Sequence, residues 1–175
     1  MMTREEFWQV IEEASKVGKG DEDATCAALE GLLLKRPPEG VVGFDMQLRQ
    51  RLAEAMTWDV WGALMVMQGD VGEEDIEGFV LWLVSRGRVA FEGVLADADG
   101  ALSAMAIEDP FACDCSSLIY VAIEVYEELT DEELPEVPVK MPTSPRGRPV
   151  DGEDERAMAA RFPRLWGQFV QERGS

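Results

Sequence analysis

Five prolines divide this chain. Pro135, Pro138, Pro142, Pro145 and Pro149 recur every three or four residues. Proline inside a helix removes a backbone donor and clashes with the preceding turn. No helix can cross residues 135–149, and the stretch is expected to run extended and polyproline-like. The chain therefore reads as three parts: an acidic helical domain over 1–134, a Pro-rich linker over 135–150 and a C-terminal helical segment over 151–175.

Ahead of the prolines, apolar residues recur at helical spacing. Thr3 and Glu6 form a capping-box pattern, with Met2 and Phe7 placed to staple it. Phe7, Val10, Ile11 and Ala14 make one face, and Gly18 and Gly20 end the helix. A second helix starts near Asp21 and carries Cys26, Leu29, Leu32 and Leu33 inward until Pro37 and Pro38. A third buries Val41, Phe44, Leu48, Leu52 and Ala55, with Arg49, Gln50 and Glu54 outside. Thr57 is set to cap a fourth, in which Trp58, Trp61, Gly62 and Met65 share a face. In the fifth, Ile76, Phe79, Val80 and Leu83 face the core, and Asp75, Phe79, Trp82 and Arg86 form a second line before Gly87. Shorter patterns follow over Arg88–Leu95 and Ala101–Ile107, then a helix from Ser116 or Ser117 to Leu129.

No segment alternates apolar and polar residues at period two between hairpin turns. The fold class is all-α: a single compact domain of about seven or eight helices. Beyond the linker, Asp151 is placed to cap a last helix, and Pro163 should kink or split it. Met158, Phe162, Leu165, Trp166 and Phe169 are too many bulky apolar residues for a solvated tail, so this segment is expected to dock back on the body.

The chain contains no histidine. That removes His-based triads, most neutral-pH acid–base schemes and nearly all transition-metal sites, since three cysteines close a four-ligand zinc site only if carboxylates complete it. The three cysteines, Cys26, Cys113 and Cys115, form no disulfide framework. Acidic neighbours around Cys113 and Cys115 weaken both thiols as nucleophiles. Glycine-rich phosphate loops and calcium-loop spacing are missing. No cofactor, metal or catalytic residue is assigned. With no signal pattern and no membrane-length apolar run, a cytoplasmic location is expected.

Charge is uneven. The formal net charge is -19. Residues 1–139 carry 9 basic and 30 acidic side chains, and residues 140–175 carry 7 basic and 5 acidic. A polyanionic body repels nucleic acid. This bears on Pro145–Pro149, which reads P-R-G-R-P, the core of a minor-groove hook. One copy, followed by Asp151, Glu153, Asp154 and Glu155, is poorly equipped to hold DNA. Arg146 and Arg148 are better read as an inward strap, a cationic stretch lying on the acidic body.

The other candidate site is aromatic. Trp58, Trp61 and Trp82, with Phe79, are core anchors in the plain reading and a ligand floor in the sharper one. Asp59 and Asp75 would edge that floor. In the plain reading they sit at helix N-termini or pair with Arg86 or Arg88.

The segments "MTREEFW", "FDMQLRQRLAEAMTWDVWGA", "FVLWLVSRGR" and "YEELTDEELP" resemble a family of uncharacterised bacterial helical domains common in actinobacteria, domain of unknown function 4240. The resemblance covers most of residues 2–135 and rests chiefly on Trp58-Asp59-Val60-Trp61-Gly62 and on Phe79 with Trp82-Leu83 before Gly87. Val80 stands where relatives often carry arginine. The resemblance implies a helical domain and no established activity.

The features together read first as an acidic protein-interaction module for a basic partner. The alternatives are a small-ligand binder, less readily an enzyme, with a pocket of Trp58, Asp59, Trp61, Asp75, Phe79, Trp82 and Arg86, and an immunity-like or antitoxin-like inhibitor of a basic nuclease. A DNA hook ranks last.

Overall fold

Helix starts are encoded as side-chain caps, and the computed structural model uses most of those the sequence offers. It describes residues 1–170; residues 171–175, the end of the segment set at 151–175, lie outside the described residues. Thr3 and Glu6 close a reciprocal capping box on α1 (Arg4–Gly18). Asp21 caps α2 (Glu22–Leu34) by accepting from the Ala24 N–H at 2.8 Å. Pro37 and Pro38 end α2 and also start α3 (Pro38–Glu54), where Pro38 fills the first helical position. Thr57 caps α4 (Trp58–Gln68) through the Val60 N–H at 3.2 Å. Then follow α5 (Glu73–Ser85), α6 (Arg88–Ala96), α7 (Ala98–Ala104), a 3-10 turn at Pro110–Ala112 and α8 (Leu118–Thr130).

Eight α-helices thus precede the prolines, and no strand is formed among the described residues. α1 packs along α2, and α8 packs against both α2 and α3. The centre is aromatic: the Phe7 ring lies 5.1 Å from Phe44, and Trp8 lies 5.4 Å from Phe91. Full burial of each such side chain contributes about 1.5–3 kcal/mol. Gly18 lets α1 and α2 approach closely, because a methyl there would overlap Thr25.

Pro163 splits the C-terminal segment as expected, into α9 (Glu155–Arg161) and α10 (Pro163–Leu165), followed by a π-helical turn at Trp166–Val170. The cap of α9 is Asp154, not Asp151. Asp151 instead accepts from the Glu153 N–H at 3.0 Å and bends the approach. The segment docks on α4 and α7, burying Met158, Phe162 and Leu165. Asp99, in the first turn of α7, takes the Leu165 and Arg164 N–H groups at 2.9 and 3.2 Å. Among the described residues, no helix is long and apolar enough to cross a membrane.

Candidate functional site

Helical spacing puts Phe79 and Trp82 of α5 in one line with Arg86, the residue that ends it. Phe79 is fully buried and stacks on Trp82, with centroids 5.8 Å apart. The Arg86 guanidinium lies 5.0 Å from the Trp82 ring centroid, a cation–π contact. Among the described residues Arg86 makes no ion pair. Trp82 and Arg86 form one wall of a half-open cleft of about 700 Å³. The corner between α1 and α2 and the chain from Met105 to Cys115 supply the others.

The cleft carboxylates already hold backbone N–H groups. Asp21 caps α2, Asp109 accepts from Phe111 at 3.0 Å, Asp114 from Ser116 at 2.9 Å, and Glu22 from Ser117 at 3.0 Å. The exposed guanidinium on its indole platform is therefore the group best placed to meet a ligand.

The remaining aromatic candidates lie elsewhere. Trp58 and Trp61 pair with each other at 6.2 Å on α4 and are not in the cleft wall. Asp59 pairs with neither Arg86 nor Arg88. Its Oδ1 accepts from Arg161 Nη2 at 2.8 Å and Nε at 3.1 Å, which ties α9 to the first turn of α4. Arg161, which sequence reasoning missed, also donates to the Pro149 carbonyl at 3.1 Å. Asp75 is exposed and turns back to accept from the Gly72 N–H at 2.8 Å, closing the start of α5. Val80 is buried at 2% exposure, so that position is apolar core in this chain.

Arg146 lies along the body. Its N–H donates to the Met56 carbonyl at 3.0 Å, and its own carbonyl accepts from Trp58 at 2.9 Å, a single parallel bridge beside Thr57. Its guanidinium donates to the Ala53 and Glu54 carbonyls at 3.0 and 2.9 Å. A cation at the C-terminal end of α3 meets the negative end of the helix dipole. Arg148 is exposed and takes no part in these bonds.

The cysteines hold a feature that spacing did not reveal. Cys26 of α2 is in thiol–thiol contact with Cys115, just before α8. The Cys115 hydrogen bond holds the Cys26 thiol below its ordinary value, against burial and the surrounding carboxylates. Cys115 is pushed far up by the same contact and by burial. Cys113, on the cleft wall, is pushed up to about 11 by burial. Helical spacing puts Cys26 on the inward side of α2, but only the packing of α2 against α8 selects Cys115 as the neighbour.

Residues 2–128, from α1 through most of α8, match a family model described as a protein of unknown function. The Pro-rich stretch and the docked C-terminal segment lie outside the match. No curated protein and no solved structure matches the chain. By the extent of the matched region, the chain belongs to the DUF4240 family.

Proposed function

We propose that this protein is an acidic interaction module whose partner presents a basic surface. The observation that carries the reading is what stays uncovered once the cationic segment has docked. Glu124, Glu127 and Glu128 follow one face of α8, Asp131 ends it, and Glu132, Glu133 and Glu136 continue past it. All seven are exposed, and none joins an ion pair among the described residues. Among the described residues, no arginine of the C-terminal part pairs with them: Arg146 caps α3 and Arg161 holds Asp59. Concentrated like charge is relieved by a cationic partner, which gains long-range steering from the same field. The inward guanidinium of Arg146 supports leaving DNA out of this reading. An inhibitor of a basic nuclease is one instance of it.

The test is affinity capture from nuclease-treated host lysate at low and high salt, read by mass spectrometry. A discrete basic protein that leaves as salt rises supports the module. Capture with no bias toward basic proteins refutes it.

The cleft favours a second reading, a small flat ligand carrying an anionic group seated on Trp82 and Arg86. Thermal-shift screening against wild type and Arg86→Ala tests it. Stabilisation by such a ligand that Arg86→Ala abolishes is the expected result, and equal shifts in both proteins refute it.

A further inference from the structure

A second groove, of about 530 Å³, lies between α3, α8 and the chain from Glu133 to Val139. Asp45 lies against it from α3 and is only 1% exposed. One carboxylate oxygen, Oδ2, accepts from Arg49 Nε at 2.9 Å. The other, Oδ1, is buried and has no hydrogen-bond partner among the described residues. An unsatisfied buried carboxylate oxygen is costly and calls for an explanation.

The surroundings are of two kinds. Ile123, Leu134 and Val137 supply apolar wall, while Glu127, Glu133 and Glu136 stand as exposed carboxylates around it. Four carboxylates thus face one cation, Arg49. An apolar wall with a carboxylate rim suits a side chain with a methylene stem and a cationic head. Among the described residues no group of three or more carboxylates and thiols is gathered closely enough to hold a metal ion, so the spacing fits an extended organic cation better.

We propose that this groove seats an arginine side chain of the basic partner, its stem along Ile123, Leu134 and Val137 and its guanidinium among Asp45, Glu127, Glu133 and Glu136. The proposal rests on the acidic-module reading and gives it a location. Arg49 is the movable neighbour: its side chain is 37% exposed and holds Asp45 from the solvent side. Swinging it outward lets an entering guanidinium reach Oδ1. Arginine fits better than lysine because its planar fork can engage two carboxylates at once.

The test uses the full chain and a labelled peptide of alternating glycine and arginine, with the citrulline peptide as uncharged control. Binding is read by fluorescence anisotropy at two salt concentrations and located by methyl NMR. The arginine peptide should bind more weakly as salt rises and shift the methyls of Ile123, Leu134, Val137 and Val139. Asp45→Asn should weaken it about tenfold or more. Glu133→Gln and Glu136→Gln, both at exposed positions, should each weaken it about two- to fivefold; they decide the matter if Asp45→Asn perturbs the fold. Binding that ignores all three substitutions, with shifts elsewhere, overturns the groove and leaves the acidic module standing. Equal binding of the citrulline peptide overturns charge recognition at this seat. No binding of the arginine peptide even at low salt overturns both.

Discussion

Gly62→Ala offers a sharp test of how the C-terminal segment sits. A methyl at Gly62 would lie 2.8 Å from two ring carbons of Phe162 and 2.9 Å from Val150 Cγ1. In a free helix the change is favourable by about 0.5–1 kcal/mol, because alanine loses less backbone entropy than glycine. Against a docked Phe162 ring, itself only 2% exposed, overpacking costs about 1–3 kcal/mol. The net expectation is destabilisation of up to about 2.5 kcal/mol in the wild-type background. In a Phe162→Ala background the ring is gone and Val150 can shift into the space it leaves, so the helix preference dominates and the same substitution should become neutral or stabilising. The sign reversal corresponds to a coupling of about 1–3 kcal/mol. Urea melts of the four proteins, followed by tryptophan fluorescence at matched m-values, measure it. Stabilisation by Gly62→Ala in the wild-type background would refute the docking, and so would an equal effect in both backgrounds.

Arg146→Ala should cost about 0.5–1.5 kcal/mol in urea melts, because two terminal carbonyls of α3 lose a cationic donor. Arg148→Ala should stay within about 0.5 kcal/mol, and equal losses at the two positions would contradict the capping role. Alkylation by iodoacetamide, followed by peptide mass spectrometry, should label Cys26 first, since its thiol titrates below its ordinary value, and Cys113 should still be gaining reactivity above pH 9, its pKa lying at about 11. Labelling in the reverse order would contradict the Cys26–Cys115 contact. Burial raises the Asp45 pKa, with Arg49 opposing it. The native state then binds that proton more tightly than the unfolded chain, so stability falls as pH rises from the unfolded value through the native one. Asp45→Asn removes this penalty: it should be more stable than wild type at neutral pH and lose the advantage below about pH 4. Melts at the two pH values check it, and an advantage that persists in acid would refute the assignment.

Local chemistry made the fold legible, and distance hid most of the site. Thr3 with Glu6, Thr57 and Pro163 act on backbone within four residues of themselves, so spacing alone placed the starts of α1 and α4 and the break after α9. Asp151 and Asp154 both suit a helix start, and the choice between them turned on a bend that composition does not encode. Asp59 was read correctly as a helix N-terminal acid, but its partner lies 102 residues away. Trp58, Trp61 and Trp82 looked like one floor because they recur on successive helices. The packing separates them: α5 turns Trp82 to the cleft, while α4 turns its glycine to the docked segment. Asp45 gave no signal, since it follows the core residue Phe44 and a period-based stripe cannot say that α8 covers the flank beside it.

The arrangement of arginines explains how an acidic body keeps a cationic segment without losing its acidic face. Neutralisation at long range would have laid Arg146, Arg148, Arg161 and Arg164 over α8, where unpaired carboxylates are densest. The observed contacts are short-range and directional instead. Arg146 meets helix-end carbonyls, Arg161 meets one carboxylate and one carbonyl, and Arg164 offers its backbone N–H to Asp99. Apolar burial of Met158, Phe162 and Leu165 against α4 and α7 fixes where the segment lies, and each arginine takes the acceptor within reach there. Hydrophobic burial is worth several kcal/mol, against about 1 kcal/mol or less for an exposed ion pair. The apolar anchors therefore outweigh the charges in choosing the docking face. Among the described residues the carboxylates of α8 join no ion pair because they lie beyond that face, and the arginines of the docked segment do not stand between them and solvent.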